Sequence, residues 1–230
     1  MLDKRKFYIN GQWVDPSKKN DFEVINPSDE SVCALISLGS QADTDAAVSA
    51  ARAALPMWSN SSKEDRIALL ESLYSIYQGR MDEMAELISM EMGAPIDFAK
   101  RSQAPSGTEA IEDFLNQLKK FEFEKQLDDS DNQLIYQPKG VCALITPWNW
   151  PISQVALKVI PAIAAGCTMV LKPSEIAPLD SMLFTEMLEE AGCPAGVFNL
   201  VNGDGAGVGS QLTSHPDIDM VSFTGSTRAG

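Results

Sequence analysis

Four short stretches between residues 141 and 230 carry side chains that could act on a small molecule together. Thr146-Pro147-Trp148-Asn149-Trp150-Pro151 sets one carboxamide among two tryptophans and two prolines. Pro147 and Pro151 fix their own φ and restrict the residue before each, so Asn149 sits on stiff backbone. A carboxamide held this way can donate to an oxygen that gains negative charge, as in an oxyanion hole. An isolated Asn is ordinarily a turn residue; the rigid aromatic frame favours chemistry. Lys172-Pro173-Ser174-Glu175 places an ammonium and a carboxylate three residues apart. The lysine can meet a phosphate or a ribose hydroxyl. A carboxylate just past a strand is the group that accepts from ribose hydroxyls in dinucleotide sites. The plainer reading is an exposed Lys and Glu in a strand-to-helix loop. Asn202 to Gly209 has glycine at 203, 205, 207 and 209, not the GxGxxG spacing. Gly205 and Gly209 permit close approach of backbone to a ligand, although a tight turn alone would use them too. In Phe223-Thr224-Gly225-Ser226, Gly225 admits a bulky group. Ser226 suits either a phosphate at a helix N-terminus or an ordinary N-cap.

These stretches follow four β-branched apolar runs: Val141–Thr146, Cys167–Lys172, Val197–Val201 and Ile218–Phe223. Between the runs lie helix-length apolar stripes at Ile152–Ala165, Leu179–Ala191 and Ala206–Ser214. Strands alternating with helices at this spacing predict successive βαβ units and a parallel sheet covered on both faces. The expected fold class is therefore α/β, with a Rossmann-like parallel sheet and flanking helices. Such sheets bind ligands beyond the carboxyl ends of their strands, which is where the four stretches fall. His215, the only histidine, precedes the fourth run at the opposite end, and we give it no catalytic role.

Upstream, Asn10-Gly11 between apolar alternations predicts a hairpin within Phe7–Val14. Short strands are expected at Phe22–Ile25 and Cys33–Ile36, and helices at Thr44–Leu55, Met81–Met92 and Gly107–Leu118. Gly93 and Pro95 stop the second of these helices. Ser62 and Asp65 resemble a capping box that opens a further helix, with Ile67, Leu70, Leu73 and Tyr74 on one face. Residues 119–131 are charged and read as a solvated connector. Leu134–Pro138 reads as a strand that its proline confines to an edge or to its own end.

The 230 residues suffice for a sizeable core, with 44% hydrophobic and 22% charged residues. A formal net charge of −14 disfavours a nucleic-acid partner, because binding phosphate backbones needs clustered Lys and Arg. It also obliges any phosphate site to rely on local donors. No signal-peptide pattern or membrane-length apolar run is visible, so a cytoplasmic protein without a membrane partner is expected. Cys33, Cys142, Cys167 and Cys193 are widely spaced without a CxxC. They read as reduced thiols, and no metal site is expected.

Taken in order, several segments resemble the aldehyde dehydrogenase superfamily. They are Ile145–Pro151, Pro161–Gly166, Lys172–Glu175, Ala191–Asn199 and His215–Ser226, with Ile9–Val14 and Ile25–Pro27 near the start. The resemblance covers essentially the whole chain and implies the fold of that family. It implies NAD-dependent oxidation of an aldehyde to a carboxylic acid. Asn149 would hold the substrate carbonyl oxygen. Lys172 and Glu175 would bind the adenine ribose. Thr146, Pro147 and Trp148 would line the cofactor cleft, and Gly205 and Gly209 would flank the adenine. Phe223, Gly225 and Ser226 would contact the pyrophosphate region, with Ile145, Ser174 and Thr224 completing the cofactor set. Glu175 favours NAD, since a carboxylate repels a 2′-phosphate; a nearby lysine can offset this, so NADP stays open.

The resemblance also implies a nucleophilic cysteine and a general-base glutamate that would lie past residue 230. None of the four cysteines matches the nucleophile. The expectation is therefore an N-terminal part of a longer enzyme, inactive alone, with the catalytic domain absent. Its expected divisions are 1–118, strands and helices of the cofactor domain; 119–139, connector and edge strand forming an oligomerisation excursion; and 140–230, the dinucleotide-binding core. The full-length protein would be a homo-oligomer. Two rivals remain: a non-catalytic nucleotide-binding or interaction module of the same fold, and a reductase of acyl phosphates or thioesters.

Overall fold

The computed structural model describes residues 1–128 and 130–230. Five short strands open the chain: β1 (Leu2–Asp3), β2 (Phe7–Ile9), β3 (Gln12–Val14), β4 (Asp21–Ile25) and β5 (Val32–Ser37). Helices α1 (Gln41–Ser59), α2 (Lys63–Gly79) and α3 (Met81–Met92) follow. A single turn, α4 (Ile96–Phe98), runs through a π-helical turn at Ala99–Gln103 into α5 (Pro105–Lys120). A small ribbon, β6 (Glu124–Gln126) and β7 (Gln133–Ile135), leads to the alternating part. That part comprises β8 (Val141–Ile145), α6 (Pro151–Ala164), β9 (Thr168–Lys172), α7 (Leu179–Glu190), β10 (Phe198–Leu200), α8 (Ser210–Thr213) and β11 (Met220–Phe223).

The main sheet runs β11-β8-β9-β10-β2-β3. Its first four strands are parallel, and the β2–β3 hairpin joins antiparallel beside β10. The hairpin turns at Asn10 and Gly11, both at positive φ (53° and 75°), as a two-residue turn matched to strand twist requires. Tyr8 pairs with Leu200, and the Asn10 N–H donates to Asn199 Oδ1 at 2.9 Å. The N-terminal hairpin therefore extends the sheet built by residues 141–223. A separate sheet, β1-β5-β4, packs into the same core through Val24, Ala34 and Ile36.

Every residue of β8 and β9 is buried, as expected for strands covered on both faces. Cys142, Leu144, Met169 and Leu171 face one core with α6, α7 and the helices α2, α3 and α5. Val141, Ala143 and Val170 face the other, filled by Ala47, Val48 and Ala51 of α1 and by Val208 and Leu212. Arg66, 4% exposed, ties helix ends together. Its guanidinium donates to the carbonyls of Trp58 and Ser59 at the end of α1 and of Ala164 at the end of α6. A cation there meets the negative ends of both helix dipoles.

The capping box at Ser62 and Asp65 is present, with Ser62 Oγ accepting from the Asp65 N–H. On α2 the buried face is carried by Arg66, Leu69, Leu70, Leu73 and Tyr77, while Ile67 and Tyr74 lie at its margin. Two expectations need correction. The stretch Ala206–Ser214 is not one helix: Gly205–Gly209 forms a π-helical turn and only Ser210–Thr213 is α-helical. Three glycines in five residues weaken helix propagation there. The connector 119–131 contains β6, paired antiparallel to β7, because Phe121, Phe123 and Tyr136 stack edge-on and seed the pairing. Among the described residues no helix is long and apolar enough to cross a membrane.

Candidate functional site

The chain runs from β8 outward through β9 to β10, then returns to place β11 on the other side of β8. Strand order thus reverses between β8 and β11, and the carboxyl ends of strands at such a reversal are the usual ligand position in open α/β sheets. Register fixes what lines it. Phe223 pairs with Ile145, and Ile145 with Lys172, so three predicted site residues lie abreast. The ladder continues past the strands: the Thr146 N–H donates to Lys172 O, and the Thr224 N–H to Ile145 O at 3.1 Å.

From Thr146 the chain leaves the sheet through Pro147 and Trp148, half exposed, to an exposed Asn149. Trp150 takes the N-cap position of α6 with Pro151 at the first helical position, where its missing N–H costs nothing. The Trp150 ring meets Phe98 edge-on at 5.7 Å. Asn149 is thereby held between the end of β8 and a pinned helix start. The last ladder bond lies three residues before it.

Lys172 differs from the simple expectation. Its side chain is buried and Nζ donates to Pro173 O (2.8 Å), Gly203 O (2.5 Å) and Glu175 Oε2 (3.4 Å). Burial lowers its pKa, and the Glu175 carboxylate works against that shift. The lysine therefore locks the ends of β9 and β10 together and orients Glu175, whose side chain is partly exposed. Ser174 is buried as well; its carbonyl accepts from the Ala177 N–H and its Oγ from the Ile176 N–H, closing the turn that carries Glu175.

The glycine-rich turn is capped by its own acid, which disfavours a phosphate there. Asp204 caps it, with Oδ1 accepting from the Gly207 N–H at 2.5 Å. That donor is taken, and the carboxylate repels an anion. A Cβ on Gly205 would meet nothing within 4 Å, whereas one on Gly209 would lie 3.8 Å from the Lys172 stem. This suits a flat, uncharged group. At the far side a Cβ on Gly225 would collide with the Phe223 ring, which folds over it. Ser226 Oγ accepts from the Ala229 N–H at 3.3 Å, as an N-cap does.

Asp204 escaped sequence reading because its role needs the turn geometry. So did Lys158, on α6, which donates to Ser222 Oγ of β11 at 3.0 Å and whose pKa is lowered by burial. A cation inside an otherwise apolar helical stripe was the available signal. His215 sits at the opposite end of the sheet against Asp45, 3.3 Å away. The thiols are also remote from these carboxyl ends. Cys142 and Cys167 lie at the amino ends of β8 and β9, Cys193 leads toward β10, and Cys33 is in the smaller sheet. The neighbouring Cys142 thiol lowers the Cys167 pKa, with Arg66 adding to this, but Cys167 is at the wrong end of its strand.

The sequence model of the aldehyde dehydrogenase family matches residues 13–230. The chain belongs to the aldehyde dehydrogenase family. It is 52% identical along its whole length to a Pseudomonas 3-succinoylsemialdehyde-pyridine dehydrogenase, of which it covers 48%. A crystal structure of a Bartonella henselae aldehyde dehydrogenase superposes with a TM-score of 0.98 at 56% identity, covering all of this chain and 48% of that one. Aldehyde dehydrogenase C of Pseudomonas syringae, solved as a Cys-to-Ala variant with NAD+ and octanal, gives a TM-score of 0.96 at 47% identity over 98% of this chain and 46% of that one. The chain thus spans about half the length of the relatives it matches, and its α/β fold is that of the family.

Proposed function

We propose that these residues form the cofactor-binding part of an enzyme that oxidises an aldehyde to a carboxylic acid with NAD+. The observation that carries this reading is the row Phe223, Ile145 and Lys172 at the reversal of strand order, with the partly exposed Glu175 carboxylate 3.4 Å from Lys172 Nζ. The donor set fits the cofactor. A carboxylate offers two acceptor oxygens to the neighbouring hydroxyls of a ribose, and the space beside Gly205 is open. Glu175 favours NAD+ over its 2′-phosphorylated form. Thr146, Pro147 and Trp148 wall the cleft, and Phe223, Thr224, Gly225 and Ser226 face the pyrophosphate.

Bound NAD+ supplies a hydride acceptor. Asn149 donates from its carboxamide to the aldehyde oxygen, and this bond strengthens as the oxygen gains charge under nucleophilic attack. None of the described cysteines stands at this end of the sheet. The reaction proposed here therefore takes its thiol nucleophile, and the carboxylate that activates water for release, from polypeptide outside residues 1–230. We place the divisions at 1–118, 119–139 and 140–230, with 119–139 as a surface for self-association. The relatives differ in the aldehydes their names carry, so the substrate is assigned as a class.

Titration of NAD+ into the protein, followed by tryptophan fluorescence, tests the reading because Trp148 lies in the cleft. A saturable change, competed by AMP and weakened in Glu175→Ala, is expected. Absence of saturable binding of either NAD+ or NADP+ would overturn it.

A further inference from the structure

The start of α7 is buried: Leu179, Asp180 and Ser181 are each at most 1% exposed. Its N-cap position is held by Pro178, which has no side-chain acceptor to offer. The first N–H groups of a helix have no partner inside it and need one from elsewhere. Here they find it on α3, in Glu91, itself 1% exposed. Glu91 Oε2 accepts from the Leu179 N–H at 2.6 Å and Oε1 from the Asp180 N–H at 2.8 Å. One carboxylate, far away in sequence, caps the helix through both oxygens and complements its positive dipole end.

This cap bears on the cofactor cleft through chain geometry. The residues between β9 and α7 form one short turn, 173–178, and Glu175 is in it. At its upstream end Lys172 is fixed by the sheet and by its bonds to Pro173 O and Gly203 O. At its downstream end the fixed point is Glu91. Ser174 braces the middle through the Ala177 and Ile176 N–H groups. A turn clamped at both ends fixes the backbone that carries Glu175, and Lys172 Nζ holds the carboxylate at 3.4 Å. We propose that Glu91 is a positioning residue for the cofactor: it clamps the N-terminus of α7 and so sets the turn that presents Glu175 to the adenosine ribose. The proposal rests on the cofactor reading above.

The test measures affinity of the protein for NAD+, AMP and nicotinamide mononucleotide in Glu91→Gln, Glu175→Ala and the double variant. Met84→Ala serves as a control, removing buried volume from α3 without touching α7's amides. Glu91→Gln turns one acceptor oxygen into a donor that opposes a backbone N–H. It should weaken AMP and NAD+ roughly tenfold, the order expected when one charge-assisted contact is misplaced. Nicotinamide mononucleotide, which lacks the adenosine ribose, should bind unchanged. Met84→Ala should lower the melting temperature without altering AMP affinity. Adding Glu91→Gln to Glu175→Ala should cost nothing further. A Glu91→Gln protein that melts lower but binds AMP normally would show a purely structural role and overturn the proposal. So would full additivity in the double variant. If Glu175→Ala itself leaves AMP binding unchanged, the cofactor reading fails first, and this inference falls with it. Should Glu91→Gln not fold, the unaltered protein decides by reciprocity of coupling. AMP must slow hydrogen exchange at the Leu179 and Asp180 amides, and unchanged exchange at saturation overturns the proposal.

Discussion

Lys172 directs its ammonium protons to two backbone carbonyls and to Glu175, which leaves Glu175 as the side chain that meets solvent. Sequence spacing was enough to single out both residues. It could not assign the inward role to the lysine, because Gly203 lies 31 positions away and only the fold brings it near. Glu91 was illegible for the same reason, its partners lying 88 and 89 positions away; Lys158 left a signal as a cation in an apolar stripe, but its partner Ser222 was not readable. Two predictions belong at this scale. In a catalytically competent polypeptide Asn149→Ala should slow the chemical step by on the order of 10²-fold or more while NAD+ affinity stays the same. Steady-state kinetics at saturating and limiting NAD+ would show it, and a rise confined to the NAD+ Michaelis constant would refute the oxyanion role. Glu175→Gln removes the charge that repels a 2′-phosphate, so the ratio of NADP+ to NAD+ affinity should rise. Competitive titration measures that ratio, and an unchanged value would mean that Glu175 does not face the ribose.

Among the elements, those with local punctuation were read closely. Gly93 ends α3 in the left-handed region at φ 79°, where the sequence placed the stop, and the Ser62 box opens α2. Elements that depend on tertiary pairing were not. The ribbon β6–β7 needs its aromatic edge contacts, and the glycine-rich turn yields a π-helical turn that no apolar period foretells. The joint between α3 and α7 has a pH signature. Burial raises the pKa of both acids, Asp180 to about 7; the two backbone N–H bonds to Glu91 favour its ionised form, so the proton this pair retains rests on Asp180, with Tyr77 and Cys33 the other titratable groups against the pair. An unfolded aspartate titrates near 3.8. Between those values the folded protein retains a proton that the unfolded chain has released. The stabilisation is therefore full below about pH 4 and is lost as pH rises through about 7. Asp180→Asn, which keeps the shape of the neutral acid, should flatten the decline of melting temperature between about pH 5 and 8. Parallel slopes for the variant and the parent would rule this out.

Over the whole molecule, exposed apolar side chains occur in several places, among them Trp148, Ile176 and Phe223 at the strand ends and a cluster on the ribbon. Leu134, Ile135 and Tyr136 on the ribbon are exposed, beside a groove of about 340 Å³ walled by Phe114, Phe121, Phe123 and Pro161. Exposed apolar area of this kind usually marks an association surface. With a net charge of −14 opposing contact elsewhere, self-association should run through this region and strengthen with salt. Sedimentation should show Ile135→Asp shifted toward monomer, with the melting temperature of the core unchanged. An unaltered distribution would move the association surface elsewhere. The α/β class was legible from the alternation of runs between 141 and 223. The attachment of the N-terminal hairpin to the same sheet was not, since nothing in Phe7–Val14 names β10 as its neighbour.

That attachment has a consequence for how the chain is made. The hairpin β2–β3 leaves the ribosome well before β10, and the Asn10 amide finds Asn199 only after 189 further residues. At about 5–20 residues per second, the wait is on the order of ten to forty seconds. Throughout it Phe7, Tyr8 and Ile9, all buried once folded, have no sheet to join. A strand pair made long before its neighbour is thus late to dock, and the nascent chain carries an unsatisfied apolar edge that a chaperone could shield.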